Sequence, residues 1–301
     1  MIHWPSYNKS LVRRGEILFS YDFLDIWDDD LARMNENKNG KRYKFPDSLI
    51  LVIGHIRLYL HLPYRQTEGL IKSTLGKSIS EDKQSPSYSQ ICRRINKLDI
   101  DINSSIENDD NDVVIIIAAD STGIKVTNRG QWMQDKWHIK NKKGYLKIHV
   151  AVDIKTKEIL ALEVTYEKVH DGKVMKNLVE GVLNNNHNIK IKSFIGDGAY
   201  DSNENFKYLN DKRIQPIIKV KRNSIISSKN NKVRNREVEL QTKDYHKWKK
   251  KRRYGSRWMA ETAFSSIKRM FGECTSAIRF QNMIKEMTMK VSLYNLFRRT
   301  A

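Results

Sequence analysis

Residues 113–120 read VVIIIAAD, seven apolar residues closing on one carboxylate. A continuous apolar run of that length, rich in β-branched side chains, is the pattern of a strand covered on both faces. Working outward, LKIHVAVD at 146–153 alternates Leu146, Ile148, Val150 and Val152 with polar or small partners, and EILALEV at 158–164 follows across DIKTKE. These three runs predict a central strand and a hairpin. DGKVMKNLVEGVL at 171–183 has helical spacing with Asp171 as a cap candidate. IKSFIGD at 191–197 is a short strand, NENFKYLNDK at 203–212 a helix and QPIIKV at 215–220 a last strand. Three strands followed by alternating helix and strand predict an α/β (α+β) domain, a mixed sheet flanked by helices.

Upstream, the period changes to that of helices. DSLILVIGHIRLYLHL at 47–62 has Asp47 as a possible cap and Pro63 as a breaker, and YRQTEGLIKSTLG follows to Gly76. In SPSYSQICRRINKL at 85–98, Ser87 and Gln90 have capping-box spacing, Ile91 and Ile95 face inward, and Arg93, Arg94 and Lys97 face out. A basic third helix after two apolar ones suits helix-turn-helix DNA binding, and equally a helical bundle with a solvated basic face. The polar segment ENDDND at 107–112 marks a boundary, giving a helical region over 1–110 and a sheet domain over 111–301.

Charge narrows the partners. The chain has 55 Lys+Arg against 35 Asp+Glu, a net +20, which favours a polyanion such as nucleic acid or an anionic membrane surface. Residues 219–253 hold 14 Lys or Arg against 3 Asp or Glu, so more than half of the excess lies in one stretch. The longest clean apolar run is too short to span a bilayer and MIHWPSYNKSLVRRGE has no signal-like apolar core, so the membrane class loses most of its weight. Cys92 and Cys274, far apart and outside any CxxC or Cys/His spacing, argue against a disulfide framework or a structural zinc and suit a reducing, intracellular setting.

Three acidic residues do not behave like surface. A carboxylate at the tip of a buried strand is costly to desolvate unless paired or holding a cation, and Asp120 sits there, before the turn-prone STG. Asp197 repeats the arrangement between Gly196 and Gly198, which allow close approach by a ligand. In YGSRWMAETAFSSIK at 254–268, a helix would place Tyr254, Arg257, Glu261 and Lys268 within about 60° of one another, beside an apolar arc containing Phe264 and Ile267. Each has a plainer reading: a turn cap at Asp120, a tight turn at Asp197, an i,i+4 ion pair between Arg257 and Glu261. Together, three hard oxygen donors on separate elements can converge on Mg²⁺ or Mn²⁺.

With these residues the chain resembles the DDE transposases of bacterial and archaeal insertion sequences, in the branch marked by Tyr, two residues, Arg, three residues, Glu, six residues, Lys. The signature is complete as Tyr254, Arg257, Glu261 and Lys268. DSTG at 120–123, WHIKNKKGYLKIHVAVDIKTKEILALEVT at 137–165, His170 with Asp171, and GDGAYDS at 196–202 are also similar to the family, as are YNKSLVRRGEI at 7–17 and LPYRQTEGL at 62–70. The resemblance implies an RNase H-like catalytic core in which Asp120, Asp197 and Glu261 bind two divalent ions. It further implies Arg257 and Lys268 on phosphates near the scissile bond, and Tyr254 against the terminal nucleotides.

In this branch an insertion separates the second Asp from the Glu, and the basic 219–253 stretch falls inside it. Its Lys249, Lys250, Arg252 and Arg253, with Tyr245 and Trp248 interleaved, suit a surface gripping DNA backbone, with a solvated basic loop as the alternative. Arg93 and Arg94 are further DNA-contact candidates. The chain departs from the family at Ser87, where an acidic residue is usual before the Tyr of the basic helix. Trp132 and Trp137 are read as aromatics packing on the hairpin, with base stacking as the alternative, and His149 and His170 as structural or site-shaping polar groups.

The expected function is a transposase of the prokaryotic cytoplasm. It would bind the terminal inverted repeats of its element in double-stranded DNA, cleave there, and join the freed 3′ hydroxyls to target DNA, as a homodimer. A retired transposase acting as a DNA-binding regulator would not need all three carboxylates. A nuclease of the same fold would give no joined products.

Overall fold

The computed structural model describes residues 3–74, 85–102, 113–126, 146–184 and 189–300. The boundary segment 107–112, Trp132 and Trp137, Gly76 and positions 185–188 lie outside them. The chain divides into two units, Met1–Asp101 with Arg279–Ala301, and Ile102–Ile278.

The first unit is helical: α1 (Trp4–Leu18), α2 (Trp27–Asn35), α3 (Asp47–Tyr59), α4 (Tyr64–Thr74), α5 (Tyr88–Ile95) and, from the far end of the chain, α11 (Phe280–Arg299). Leu49, Ile50 and Ile53 of α3, Ile71 of α4 and Ile91 and Ile95 of α5 are buried, as are Met287, Met289 and Leu293 of α11. Tyr59 meets Phe297 edge to face at 5.5 Å. The sequence expectation gave residues 111–301 to one domain; by contacts, 279–301 group with the helices instead. The reason is apolar burial, since α11 carries its own set of large side chains into that helical core.

Local signals explain the helix ends. Pro63 ends the preceding run, and its carbonyl accepts from both the amide and the hydroxyl of Thr67 as α4 begins. Ser87 and Gln90 form the expected capping box, the Ser87 amide donating to Gln90 Oε1 at 2.9 Å. Asp47 is not a cap: Pro46 holds that position, and the Asp47 carboxylate accepts from Arg94 Nη2 at 2.6 Å.

The second unit is built on a sheet of order β3-β2-β1-β4-β5, from β1 (Val113–Val126), β2 (Leu146–Asp153), β3 (Ile159–Tyr166), β4 (Ile189–Gly196) and β5 (Gln215–Ile218). β1, β2 and β3 run antiparallel; β4 and β5 run parallel to β1. This is the mixed, RNase H-like sheet that the resemblance implied. A short β6 (Cys274–Thr275), which the sequence reading did not contain, pairs with the far end of β1 at Lys125 and Val126.

Helices α6 (Asp171–Asn184) and α7 (Asn203–Asp211) cover one face. There Ile115, Ile117 and Ala119 of β1 join Val174, Met175, Leu178, Val179 and Val182 of α6 and Phe206 and Leu209 of α7 in one buried cluster. Side chains alternate along a strand, so Ala118 and Asp120 point to the other face. α10 (Trp258–Phe271) packs against β1 and β2, burying Ala260, Ala263, Phe264, Ile267 and Phe271.

The 219–253 stretch folds as a helical hairpin, α8 (Lys232–Lys243) and α9 (Tyr245–Lys251). Buried Glu237 accepts from Trp248 Nε1 at 2.6 Å and from Arg252, so the stretch carries its own polar core. Arg234 likewise donates to the buried Asp201 at 2.7 Å. The alternative of an unstructured basic loop is thereby removed.

Gly196 closes β4 for a packing reason. A Cβ there would stand 2.7 Å from the Tyr200 ring and 2.9 Å from the Phe194 ring, both rings being fully buried. The close approach that a glycine permits is thus made by the protein's own aromatic side chain rather than by a ligand. Gly196→Ala is expected to cost about 1–3 kcal/mol through overpacking. A thermal melt matching the parent's would show that the rings can move aside.

Candidate active site

The strand reading placed Asp120 at a strand tip before a turn. β1 instead continues to Val126, with Asp120 paired to Val150, Ser121 to His149 and Gly123 to Lys147 of β2. What ends near Asp120 is the other neighbour: the last β1–β4 pair is Ala118 with Ile195. Two residues further along each strand stand Asp120 and Asp197. Asp197 is still extended, at φ −81° and ψ −174°, so the two carboxylates are level and on one face where the sheet opens.

That alignment depends on a bulge. Ile115 pairs with Ile191 but Ile116 with Ser193, so Lys192 is an extra residue in β4. Ile189 and Ile191 before it and Phe194 after it all point into the α6 side, the parity having switched. Without the extra residue the strand would carry Asp197 on the opposite face from Asp120.

Glu261 arrives from the first turn of α10, where an acid is favoured by the helix dipole. The predicted helix over 254–268 begins only at Trp258. Arg253 is left-handed, at φ 53°, and Tyr254–Arg257 form a 3₁₀ turn, which sets Arg257 just ahead of the helix. From there its guanidinium donates to Asp120 Oδ2 at 3.0 Å through Nη1 and to Glu261 Oε1 through Nη2. The Arg257–Glu261 pair is therefore one arm of a bridge between two carboxylates from distant elements.

The electrostatics follow. Burial first, and then repulsion from Asp197 and Glu261, lift the Asp120 carboxyl above its ordinary range, against the Ser121 amide and Arg257. Burial works against the charge of Arg257, but Asp120 and Glu261 outweigh it and raise its pKa. A cleft of about 530 Å³ is lined by Asp120, Ser121, Thr122, Glu261 and Lys268, among others. Asp197 is not among its lining residues, but its charge acts on Asp120, and its Oδ1 accepts from the Ala199 amide at 2.9 Å.

As the side chains stand, no three His, Cys, Asp or Glu among the described residues are close enough to hold a metal ion. Arg257 supplies the positive charge instead. The donor chemistry fits hard divalent ions: three carboxylates on separate elements, two of them already sharing a cation, with Asp120 repelled by its neighbours.

Behind Asp120 lies a polar hub whose arrangement the sequence did not show. Asp171 Oδ1 takes Lys147 Nζ at 2.5 Å and lies 3.5 Å from Nδ1 of the fully buried His149; its Oδ2 accepts from Ser121 Oγ at 3.1 Å. His149 Nε2 meets Thr165 Oγ1 at 2.9 Å. Asp171 thus ties the residue after Asp120 to β2 and α6. The phenol of Tyr200, buried beside Asp171, Asp120 and Asp197, is pushed up by burial and by those carboxylates. The alternating pattern of LKIHVAVD hinted at this hub, because a histidine and a lysine two apart share a strand face.

The other expected site residues are spread out. Tyr254 is buried against Trp248, with ring centroids 5.1 Å apart, and burial raises its pKa to about 12. Trp248 is core rather than a DNA-facing ring, and Arg252 is held by Glu237. Lys249, Lys250 and Arg253 are exposed. Arg93 and Arg94 belong to the helical unit, the first exposed and the second paired with Asp47. His170 Nδ1 accepts from the Gly172 amide at 3.2 Å, a structural role.

A family model described as a transposase DDE domain matches residues 114–296, and a second with the same description matches residues 12–129. The chain belongs to the DDE transposase family. Among solved structures, it is 14% identical to the Drosophila P element transposase of a strand transfer complex, at a TM-score of 0.35. That match covers 65% of this chain and 46% of the other, so the chain spans less than half the length of that protein. It is 12% identical to the piggyBac transposase of a synaptic complex with hairpin DNA, covering 95% of this chain and 73% of that one at a TM-score of 0.40. At these scores neither likeness adds to the topology described above. No helix among the described residues is long and apolar enough to cross a membrane.

The hub gives a pH expectation. Burial holds the His149 imidazole down to about 4, whereas an unfolded histidine titrates near about 6.5. Between those values the unfolded chain binds a proton that the folded chain refuses. This contribution to stability is therefore complete above the upper value and is lost as pH falls toward the lower one. His149→Gln should flatten the loss of urea midpoint between neutral and mildly acidic pH, leaving the share of His55, also held to about 4 by burial. An unchanged slope would show that His149 is not buried in its neutral form.

Proposed function

We propose that the chain is an active transposase of the Tyr-Arg-Glu-Lys branch, acting on double-stranded DNA in the cytoplasm of a prokaryote. It binds the terminal inverted repeats of its own element, cleaves there, and joins the element to target DNA as a homodimer on two ends. The observation that carries this reading is the convergence of Asp120 and Asp197 at the opening of the sheet, with Glu261 linked to Asp120 through one guanidinium.

In the cleavage step a water oxygen attacks phosphorus at the element end and the 3′ oxygen of the element strand leaves with a proton. In the joining step that 3′ hydroxyl attacks a target phosphodiester and displaces the target's 3′ oxygen, one ester replacing another. Two Mg²⁺ or Mn²⁺ ions held by Asp120, Asp197 and Glu261 would supply charge stabilisation for the attacking and leaving oxygens. The chain's own groups do the rest. Arg257, released from the carboxylates, and Lys268 in the cleft wall bind phosphate oxygens. Tyr254, packed on Trp248, steadies the turn that carries Arg257. Asp171 and Ser121 keep β1 in place behind Asp120.

Purified protein incubated with Mg²⁺ and DNA carrying the element's ends should give nicked and joined products. Asp120→Asn and Glu261→Gln should each lower both by orders of magnitude; a variant as active as the parent would remove that residue from the ligand set. Nicking without joining would favour the nuclease reading. Calorimetry on the protein alone provides a second readout: Arg257→Gln, which removes the competing cation, should tighten Mg²⁺ binding, and weakened binding would contradict the displacement of Arg257 by metal.

A further inference from the structure

The helical unit contains a second concentration of charge that the acidic site does not use. A groove of about 760 Å³ lies between the segment after α2 and the outer face of α5. Seven lysine or arginine side chains line it, against the single carboxylate of Asp47, which is already taken by Arg94. Cations crowded into a concavity repel one another, and such a surface is stabilised by a polyanion.

The groove is built rather than loose. Asn35 clasps the backbone of Tyr43 from both sides, its Oδ1 accepting from the Tyr43 amide at 2.7 Å and its Nδ2 donating to the Tyr43 carbonyl at 3.1 Å. The clasp closes a loop whose tip, Gly40 at φ 92°, only glycine adopts freely. Phe45, buried after the loop, anchors it. Lys41 and Arg42 project from this loop, Arg93 from the facing helix and Lys97 from the turn that follows it.

The Tyr43 ring is occupied by cations, with Lys38 Nζ 3.1 Å and Arg94 Cζ 4.5 Å from its centroid. It therefore holds positive charge forward instead of offering a face to a base. The surface presents charge without a free stacking platform, the chemistry of backbone rather than base recognition.

We propose that this groove binds the sugar–phosphate backbone of duplex DNA, independently of sequence. It gives the chain a phosphate-binding surface in the helical unit, separate from the acidic site. The identity of the polyanion as DNA rests on the transposase reading; the groove itself rests on the charges and the Asn35 clasp.

The test is binding of a fluorescein-labelled random-sequence duplex by anisotropy, without divalent metal, over a range of salt. The variant Lys41→Gln/Arg42→Gln/Lys97→Gln removes three exposed cations from the groove. Lys155→Gln/Lys207→Gln/Lys212→Gln removes three exposed cations of the sheet unit and the same net charge. The groove variant should bind about tenfold or more weakly at moderate salt, with a log–log salt slope shallower by about 2–3, while the control stays near the parent. Equal behaviour of the two variants, or a steeper loss in the control, would overturn the groove as a site. An unlabelled single strand competing as well as the duplex would overturn the duplex assignment. Because no metal is present, the result stands apart from catalysis: a parent that binds but never cuts with Mg²⁺ would sink the transposase reading and leave the groove intact.

Discussion

The acidic site depends on the register between β1 and β4. Parallel strands place partnered side chains on the same face, so pairing Ala118 with Ile195 commits Asp120 and Asp197 to one level and one side. The single extra residue Lys192 makes that commitment possible. It lets β4 begin with Ile189 and Ile191 in the core under α6 and end with the opposite parity, after Phe194 has taken the inward position. Hydrophobic burial at one end and acid placement at the other would conflict in a regular strand; the bulge reconciles them.

Charge is the second constraint. Carboxylates gathered at an opening in a sheet repel one another and resist losing water, which is why Asp120 is lifted above its ordinary range. In the free protein Arg257 offsets this, its fork spanning Asp120 and Glu261. The same guanidinium is well suited to phosphate, so under the proposed function one side chain would serve as counter-charge before DNA arrives and as a phosphate ligand afterwards. The left-handed Arg253 and the 3₁₀ turn after it aim this side chain at the strand rather than along α10.

Much of this was legible in the residues. A continuous apolar run gave β1, and the alternating LKIHVAVD with EILALEV after it gave β2 and β3, because a sheet buried under helices leaves that trace in composition. Asp120, Asp197 and Glu261 stood out because acids beside apolar runs need a reason. The exit from β1 was not legible: STG has turn chemistry, yet antiparallel pairing with β2 holds it extended to Val126. The bulge at Lys192 was equally hidden, since nothing in KIKSFIG distinguishes a regular strand from a bulged one before a partner is known. Tyr254 and Trp248 read as nucleotide-facing aromatics in a basic stretch, but the stretch folds around Glu237 and buries them. Residues 35–44 carried no apolar period, so the basic loop facing α5 emerged only when Asn35 was seen to close on Tyr43.

The two-residue strand β6 has a consequence for how the protein is made. Cys274 and Thr275 follow shortly after α10 and pair with Lys125 and Val126, so the helix bearing Glu261, besides packing on β1 and β2, is tied to the strand bearing Asp120 by main-chain pairing just past its C-terminus. Asp120 and Arg257 are 137 residues apart in the chain. During synthesis β1, β2 and β3 can pair early, but the acidic centre and its counter-charge cannot assemble until the ribosome has released the segment through residue 275. A chain ending short of α10 holds Asp120 and Asp197 without Glu261, so the three carboxylates of the proposed site come together only after α10 has been made.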